Sequence, residues 1–174
     1  MKRENWAKYL EVATNVAVLL VAVALLGTLV ATKLGSTPKP SFERGLQKGD
    51  VMPNLPSISY EATPRTLVMV LSTTCNYCTE SLPFYKRVIE EQYKVHKQLS
   101  VVAVFPNSKT EVNDYVQRNR LEIKTVAEVL PGDLAVGGTP TLILVDAAGR
   151  VKEAWLGKLS PADEAEVIRA LEAK

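Results

Sequence analysis

Along the chain, short runs of continuous apolar residues alternate with longer stretches in which apolar residues recur every third or fourth position. "TLVMVLS" (Thr66–Ser72) is β-branched and apolar almost throughout. A run of that kind suits a strand covered on both faces of a sheet. From Cys75 to about Lys97 the pattern turns helical, and Leu82, Tyr85, Ile89 and Tyr93 form one stripe. "SVVAVF" (Ser100–Phe105) predicts a second buried strand. Lys109–Asn119 predicts a helix with Val112, Tyr115 and Val116 on its apolar side. "LEIKTV" (Leu121–Val126) alternates and predicts a short edge strand. "TPTLILVD" (Thr139–Asp146) predicts a third strong strand, "AAGR" turns it, and "VKEAWLG" (Val151–Gly157) returns as a fourth. Ser160 then caps a last helix, with Pro161 at its first position and Ala165, Ile168 and Leu171 as its stripe. Strand–helix–strand connections imply parallel pairing, and the hairpin adds antiparallel strands. The predicted class is α/β, a mixed sheet sandwiched by helices.

A different pattern precedes this domain. Residues 12–32, "VATNVAVLLVAVALLGTLVAT", carry no charge. At 1.5 Å per residue such a helix spans roughly 31 Å, the thickness of a bilayer core. A cleaved signal peptide has a shorter apolar core and a small-x-small site. Here Leu29 and Ala31 flank Val30, and Lys33 follows. The reading is an uncleaved transmembrane helix at 12–32, after a short tail at 1–11. A linker at 33–48 contains the proline-bearing spacer "GSTPKPS", with Arg44 and Lys48 near its end. The globular domain is expected over 49–174. Lys2, Arg3 and Lys8 before the span balance Lys33, Lys39 and Arg44 after it, so basic residues do not set the orientation.

With 174 residues the chain has room for one ordinary domain and this appendage. A net charge of +2 without a basic cluster gives no footprint for nucleic acid. Its two cysteines, Cys75 and Cys78, are too few for a disulfide-built scaffold, and a bridge between them would close too short a loop to stabilise much. Zinc needs about four ligands, and the single histidine, His96, falls on the stripe of a predicted helix, which points to a structural role. Thr79 stands where a c-type haem site needs histidine. No metal or cofactor is therefore expected. The pair does lie where a strand gives way to a helix. Unpaired N–H groups and the helix dipole there favour a thiolate at Cys75. Cys78, one turn on, is shielded yet within reach. The spacing thus predicts a redox dithiol, with Cys75 as attacking nucleophile and Cys78 as resolving thiol. Trp155 is read as core.

"CNYC" after an apolar strand, Pro83 five residues past Cys78, and "GGTPTLILVDAAGRV" from Gly137 together resemble the thioredoxin-like fold, in particular membrane-anchored thiol–disulfide oxidoreductases of the TlpA/ResA-like type. The resemblance covers roughly Gly49 to Ala173. It implies that Pro140 is cis and lies beside the cysteines. It also implies that Thr139, Pro140 and Tyr77 contact substrate, with the Thr139 backbone pairing to a target peptide as an added strand. Protein thiols and disulfides would be the substrates, a membrane component the electron donor, and the extracytoplasmic face of a bacterial inner membrane the location. Some positions depart from the family's habits. Thr74 replaces a tryptophan, Tyr77 a proline, and Ser81 stands where some relatives carry glutamate. Glu80 lies one residue earlier, about 100° around the helix. "TLVMVLS" lacks the buried carboxylate that helps thioredoxins deprotonate the second cysteine.

Two other functions are compatible with such a fold. A peroxiredoxin-like peroxidase needs P-x-x-x-[TS]-x-x-C; Ser72 meets the hydroxyl position, but Val68 stands where proline belongs. A redox-inactive binding module would have no use for an intact Cys75–Cys78 pair.

Overall fold

The computed structural model describes residues 16–23, 45–94, 98–130 and 133–173. The chain divides into two compact units, Met1–Lys39 and Pro40–Lys174. Of the first, residues 16–23 are helical and exposed. Among the described residues no helix is long and apolar enough to cross a membrane. Most of the span read at 12–32 lies outside them, as do Arg44 and His96.

The second unit is built on five strands: β1 (Arg65–Val70), β2 (Leu99–Phe105), β3 (Thr125–Glu128), β4 (Thr141–Asp146) and β5 (Val151–Leu156), in the sheet order β3-β2-β1-β4-β5. β1 pairs parallel with β2, and β2 with β3. β1 pairs antiparallel with β4, and β4 with β5. The four helices are α1 (Asn76–Glu80), α2 (Leu82–Lys94), α3 (Lys109–Asn119) and α4 (Pro161–Glu172).

Alternate residues of the central strands feed two separate cores. Leu67, Met69 and Leu71 face Phe84, Tyr85, Val88 and Ile89 of α2, Val112 and Tyr115 of α3, and Val167 and Leu171 of α4. Val68 and Val70 face the other way, onto Met52, Leu55, Tyr60, Ala127 and Leu134. The described helices α2, α3 and α4 therefore cover one face. Irregular chain around a short 3-10 turn, Tyr60–Ala62, helps close the other. The sandwich of helices expected from the sequence is one-sided. The strand order explains this: β1, β2 and β3 are laid down in one direction, and right-handed crossovers taken in one direction put their helices on the same face.

Other differences are local. The stripe of α2 is Phe84, Tyr85, Val88 and Ile89, while Tyr93 is exposed. On α4, Val167 and Leu171 are buried and Ala165 is exposed. The edge strand forms at Thr125–Glu128, later than the expected Leu121–Val126. Arg120 ends α3 in the left-handed conformation (φ 51°), and Leu121 then fills the core before pairing can begin. Trp155 packs partly against the α2 side, with its indole N–H 3.3 Å from Glu166 Oε1. Lys48 is exposed and pairs with Glu153 of β5 at 2.6 Å.

Candidate active site

β1 runs into the loop Leu71–Cys75, where Thr73 N–H donates to Asn107 Oδ1 at 3.1 Å and Cys75 N–H to the Ser72 carbonyl at 3.2 Å. Cys75 is the N-cap of α1, with extended backbone (φ −87°, ψ 117°). Its sulfur occupies the place of a capping oxygen and accepts the Cys78 N–H at 3.3 Å. One turn on, Cys78 is fully buried, whereas Cys75 is partly exposed.

The helix expected over Cys75–Lys97 breaks at Ser81, which caps α1 before α2 begins. Pro83 has no N–H to give the carbonyl four residues back, and Ser81 Oγ bonds the Tyr77 carbonyl at 2.8 Å. The helical course nevertheless resumes, with Tyr85 N–H donating to the Ser81 carbonyl at 3.0 Å.

The loop before β4 completes the site. The Thr139–Pro140 peptide bond is cis, and the Cys75 thiol donates to the Thr139 carbonyl at 3.2 Å. Residues 64 positions apart in sequence thus meet at one sulfur. The antiparallel register places Thr141 beside Val70, so β4 starts where β1 ends. Pro140 is buried and Thr139 half-buried; Tyr77, between the cysteines, is 59% exposed.

The two thiols are electrostatically unlike. Partial burial pushes the Cys75 thiol up. Hydrogen bonds with the Cys78 and Thr139 side chains and with the Cys78 and Tyr77 backbone outweigh this, and the net shift is downward. The Thr139 carbonyl opposes that trend, since it accepts only while the sulfur keeps its proton. The backbone N–H of Cys78 survives ionisation and favours the thiolate. Burial, then the hydrogen bond to Cys75, pushes Cys78 up to about 12. One thiol is poised to ionise and the other to stay protonated until the chemistry demands otherwise.

Glu80 is exposed and its carboxylate meets Lys158 at 2.6 Å, so it is committed to the surface. Two residues that sequence reasoning did not single out at the site are Tyr85 and Tyr115. Both side chains are buried in the Cys78 core, and neither hydroxyl has a hydrogen-bond partner. The available signal was spacing: Tyr85 follows Cys78 by seven residues, two turns on the same face. Among the described residues no cluster of three or more His, Cys, Asp or Glu side chains could hold a metal ion.

A buried thiol behind an activated one, on a mixed sheet with a cis-proline loop, defines a dithiol site on a thioredoxin-like fold. The family model for a thioredoxin-like domain matches residues 58–172, and the chain belongs to that family. No curated protein sequence matches it significantly. Among solved structures, it is similar to a Chlorobium tepidum protein assigned as the thiol:disulfide interchange protein DsbE. The two share 27% identity and a TM-score of 0.56 over 72% of this chain and 99% of that one. StoA from Bacillus subtilis superposes with a TM-score of 0.52 at 17% identity, over 74% of this chain and 95% of its own. A thiol:disulfide interchange protein from a Bacteroides species gives 0.59 at 14%, over 74% and 92%. At those identities the last two speak to the fold.

Proposed function

We propose that the chain is a membrane-tethered thiol–disulfide oxidoreductase acting on partner proteins through Cys75 and Cys78. The observation that carries this reading is the pairing of an accessible, N-capping Cys75 sulfur with a Cys78 thiol buried one turn behind it. Cys75 thiolate attacks one sulfur of a substrate disulfide; the substrate S–S bond breaks, its other sulfur leaves with the electron pair and takes up a proton, and a mixed disulfide forms. Cys78 then loses its proton and attacks the Cys75 sulfur. The Cys75–Cys78 bond forms, the substrate sulfur leaves with the electron pair and takes up a proton, and the substrate is reduced by two electrons. The reverse sequence oxidises a substrate dithiol. Thr139, Pro140 and Tyr77 are the proposed substrate contacts; the Thr139 segment offers main-chain pairing and Tyr77 an exposed ring.

The uncharged 12–32 stretch supports single-pass anchoring in a bacterial inner membrane. The resemblance to TlpA/ResA-like proteins supports an extracytoplasmic catalytic domain supplied by a membrane electron donor. The test is trapping: Cys78→Ser in the full chain should accumulate mixed disulfides on Cys75 with discrete proteins, released by dithiothreitol. A reduced wild-type pair that no glutathione poise can oxidise, together with an empty trap, would overturn the reading. Peroxide turnover that depends on Cys75 and outpaces disulfide exchange would replace it with the peroxidase alternative.

A further inference from the structure

Cys78 must become a thiolate to resolve the mixed disulfide, and it does so in an apolar enclosure. From β1 it is faced by the core side chains Leu67, Met69 and Leu71. The titratable or polar groups around it include Cys75 on its own turn, the Ser72 backbone after β1, Tyr85 from α2, Tyr115 from α3 and Thr139 from the loop before β4, with Ser81 and Thr79 beside the two tyrosines. Glu80, on the same short helix, is turned to Lys158 at the surface. None of the main influences on the Cys78 thiol among the described residues is a carboxylate.

Tyr85 is 1% and Tyr115 3% exposed, and their hydroxyls are the two buried side-chain polar atoms left without a partner among the described residues. Buried polar groups nearly always find partners, and the exceptions call for an explanation such as a catalytic role. Both phenols sense negative charge on Cys78, which pushes their own ionisation up; burial is the larger cause in each case. They therefore stay protonated and can act only as O–H dipoles. The Ser81 hydroxyl stands near that of Tyr85 and the Thr79 hydroxyl near that of Tyr115, and each lowers its neighbour's ionisation, but neither closes a hydrogen bond; in a low-dielectric interior an unpartnered dipole reorients toward nearby charge at little cost.

We infer that the Tyr85 and Tyr115 hydroxyls are positioning groups for the resolving step, turning their O–H dipoles toward the Cys78 sulfur as it ionises and substituting for a buried carboxylate. This deepens the proposed oxidoreductase function and rests on it. In the step they assist, Cys78–SH and the Cys75–substrate disulfide become the Cys75–Cys78 disulfide and a substrate thiol. The Cys78 proton balances the proton taken up by the leaving sulfur. The tyrosines gain and lose no electrons.

The experiment uses the full chain and oxidised glutathione as probe. Glutathione is loaded on Cys75, and its release by Cys78 is followed in single turnover from pH 6 to 10 for wild type, Tyr85→Phe, Tyr115→Phe and the double variant. Each phenylalanine keeps the ring and deletes an unpartnered hydroxyl, so a merely structural hydroxyl predicts equal or greater urea stability with unchanged release. The inference predicts release about threefold to tenfold slower below pH 8, with its pH profile moved alkaline by up to about one pH unit, since one unit is tenfold in thiolate. Loading of Cys75 should stay at the wild-type rate. Release profiles that superpose on wild type would overturn the inference and leave the dithiol function standing. Loading slowed in parallel with release, or lost stability that accounts for both, would overturn it as a general packing effect. A wild-type chain that never releases glutathione would instead overturn the oxidoreductase reading beneath it.

Discussion

Iodoacetamide should distinguish the two thiols of the reduced chain by a margin that the site's environment fixes. With Cys78 pushed up to about 12, roughly one molecule in 10⁵ carries its thiolate at pH 7. An ordinary thiol is about 3% ionised at that pH, and the hydrogen bonds around the Cys75 sulfur outweigh its partial burial and shift it below that ordinary value. An ordinary thiol therefore exceeds Cys78 in thiolate by about 3,000-fold, and the downward shift of Cys75 acts in the same direction. A less basic thiolate is a weaker nucleophile, and a Brønsted slope of about 0.4–0.5 returns roughly 25- to 55-fold to Cys78. For a thiol of ordinary pKa the net preference over Cys78 is about fifty-fold, before burial of Cys78 slows the reagent further. The assay is a time course of alkylation at pH 7, quenched in acid, with each cysteine quantified by peptide mass mapping. Cys75→Ser reports Cys78 alone. Modification of the two cysteines at rates within about threefold of each other in the folded, reduced chain would refute the assignment of unlike thiols.

Two further outcomes follow from the same structure. Cys78 has its folded pKa raised, so its contribution to stability is complete below the unfolded value near 8.5 and is lost as pH climbs toward about 12. Reduced wild type should lose up to about 5 kcal/mol more than Cys78→Ser across that window in urea titrations, and parallel curves would contradict the assignment. At the far end of the domain, Ser160 Oγ accepts the Asp163 N–H at 3.3 Å and donates to Asp163 Oδ2 at 2.7 Å. Ser160→Ala should cost about 1 kcal/mol and lower the melting temperature by about 4 °C, with glutathione exchange unchanged.

The sheet was legible because its central strands are apolar on both faces, a pattern that survives whichever side the helices take. The side they take was less legible. Helices on both faces were expected, yet the order β3-β2-β1 puts α2 and α3 together, and strand order is not written in any local run. The α2 stripe was misplaced because Tyr93, an aromatic at the right spacing, sits near the end of the helix where the sheet no longer covers it. Cys75 and Cys78 declared themselves through motif and junction. The bond from the Cys75 thiol to the Thr139 carbonyl depends on the start of β4 meeting the end of β1, a tertiary fact that periodicity could not show. The partnerless hydroxyls of Tyr85 and Tyr115 had no sequence signature beyond spacing, because a buried tyrosine reads as core whether or not its oxygen is satisfied.

The irregular chain that closes the second face runs along β5 and is fastened at one particular end of the sheet. Gly49 N–H donates to the Val151 carbonyl at 2.8 Å, Met52 N–H to the Gly149 carbonyl at 2.9 Å, and Val51 bridges Arg150. These fastenings sit at the β4–β5 hairpin turn, level with the Arg65–Asp146 end of the central pair. Cys75 lies beyond the Val70–Thr141 end, some 17 Å along the strands. Gly45, at the other end of this stretch, lies against the Gly137 backbone, so the described chain passes the loop before β4 first and reaches the hairpin turn last.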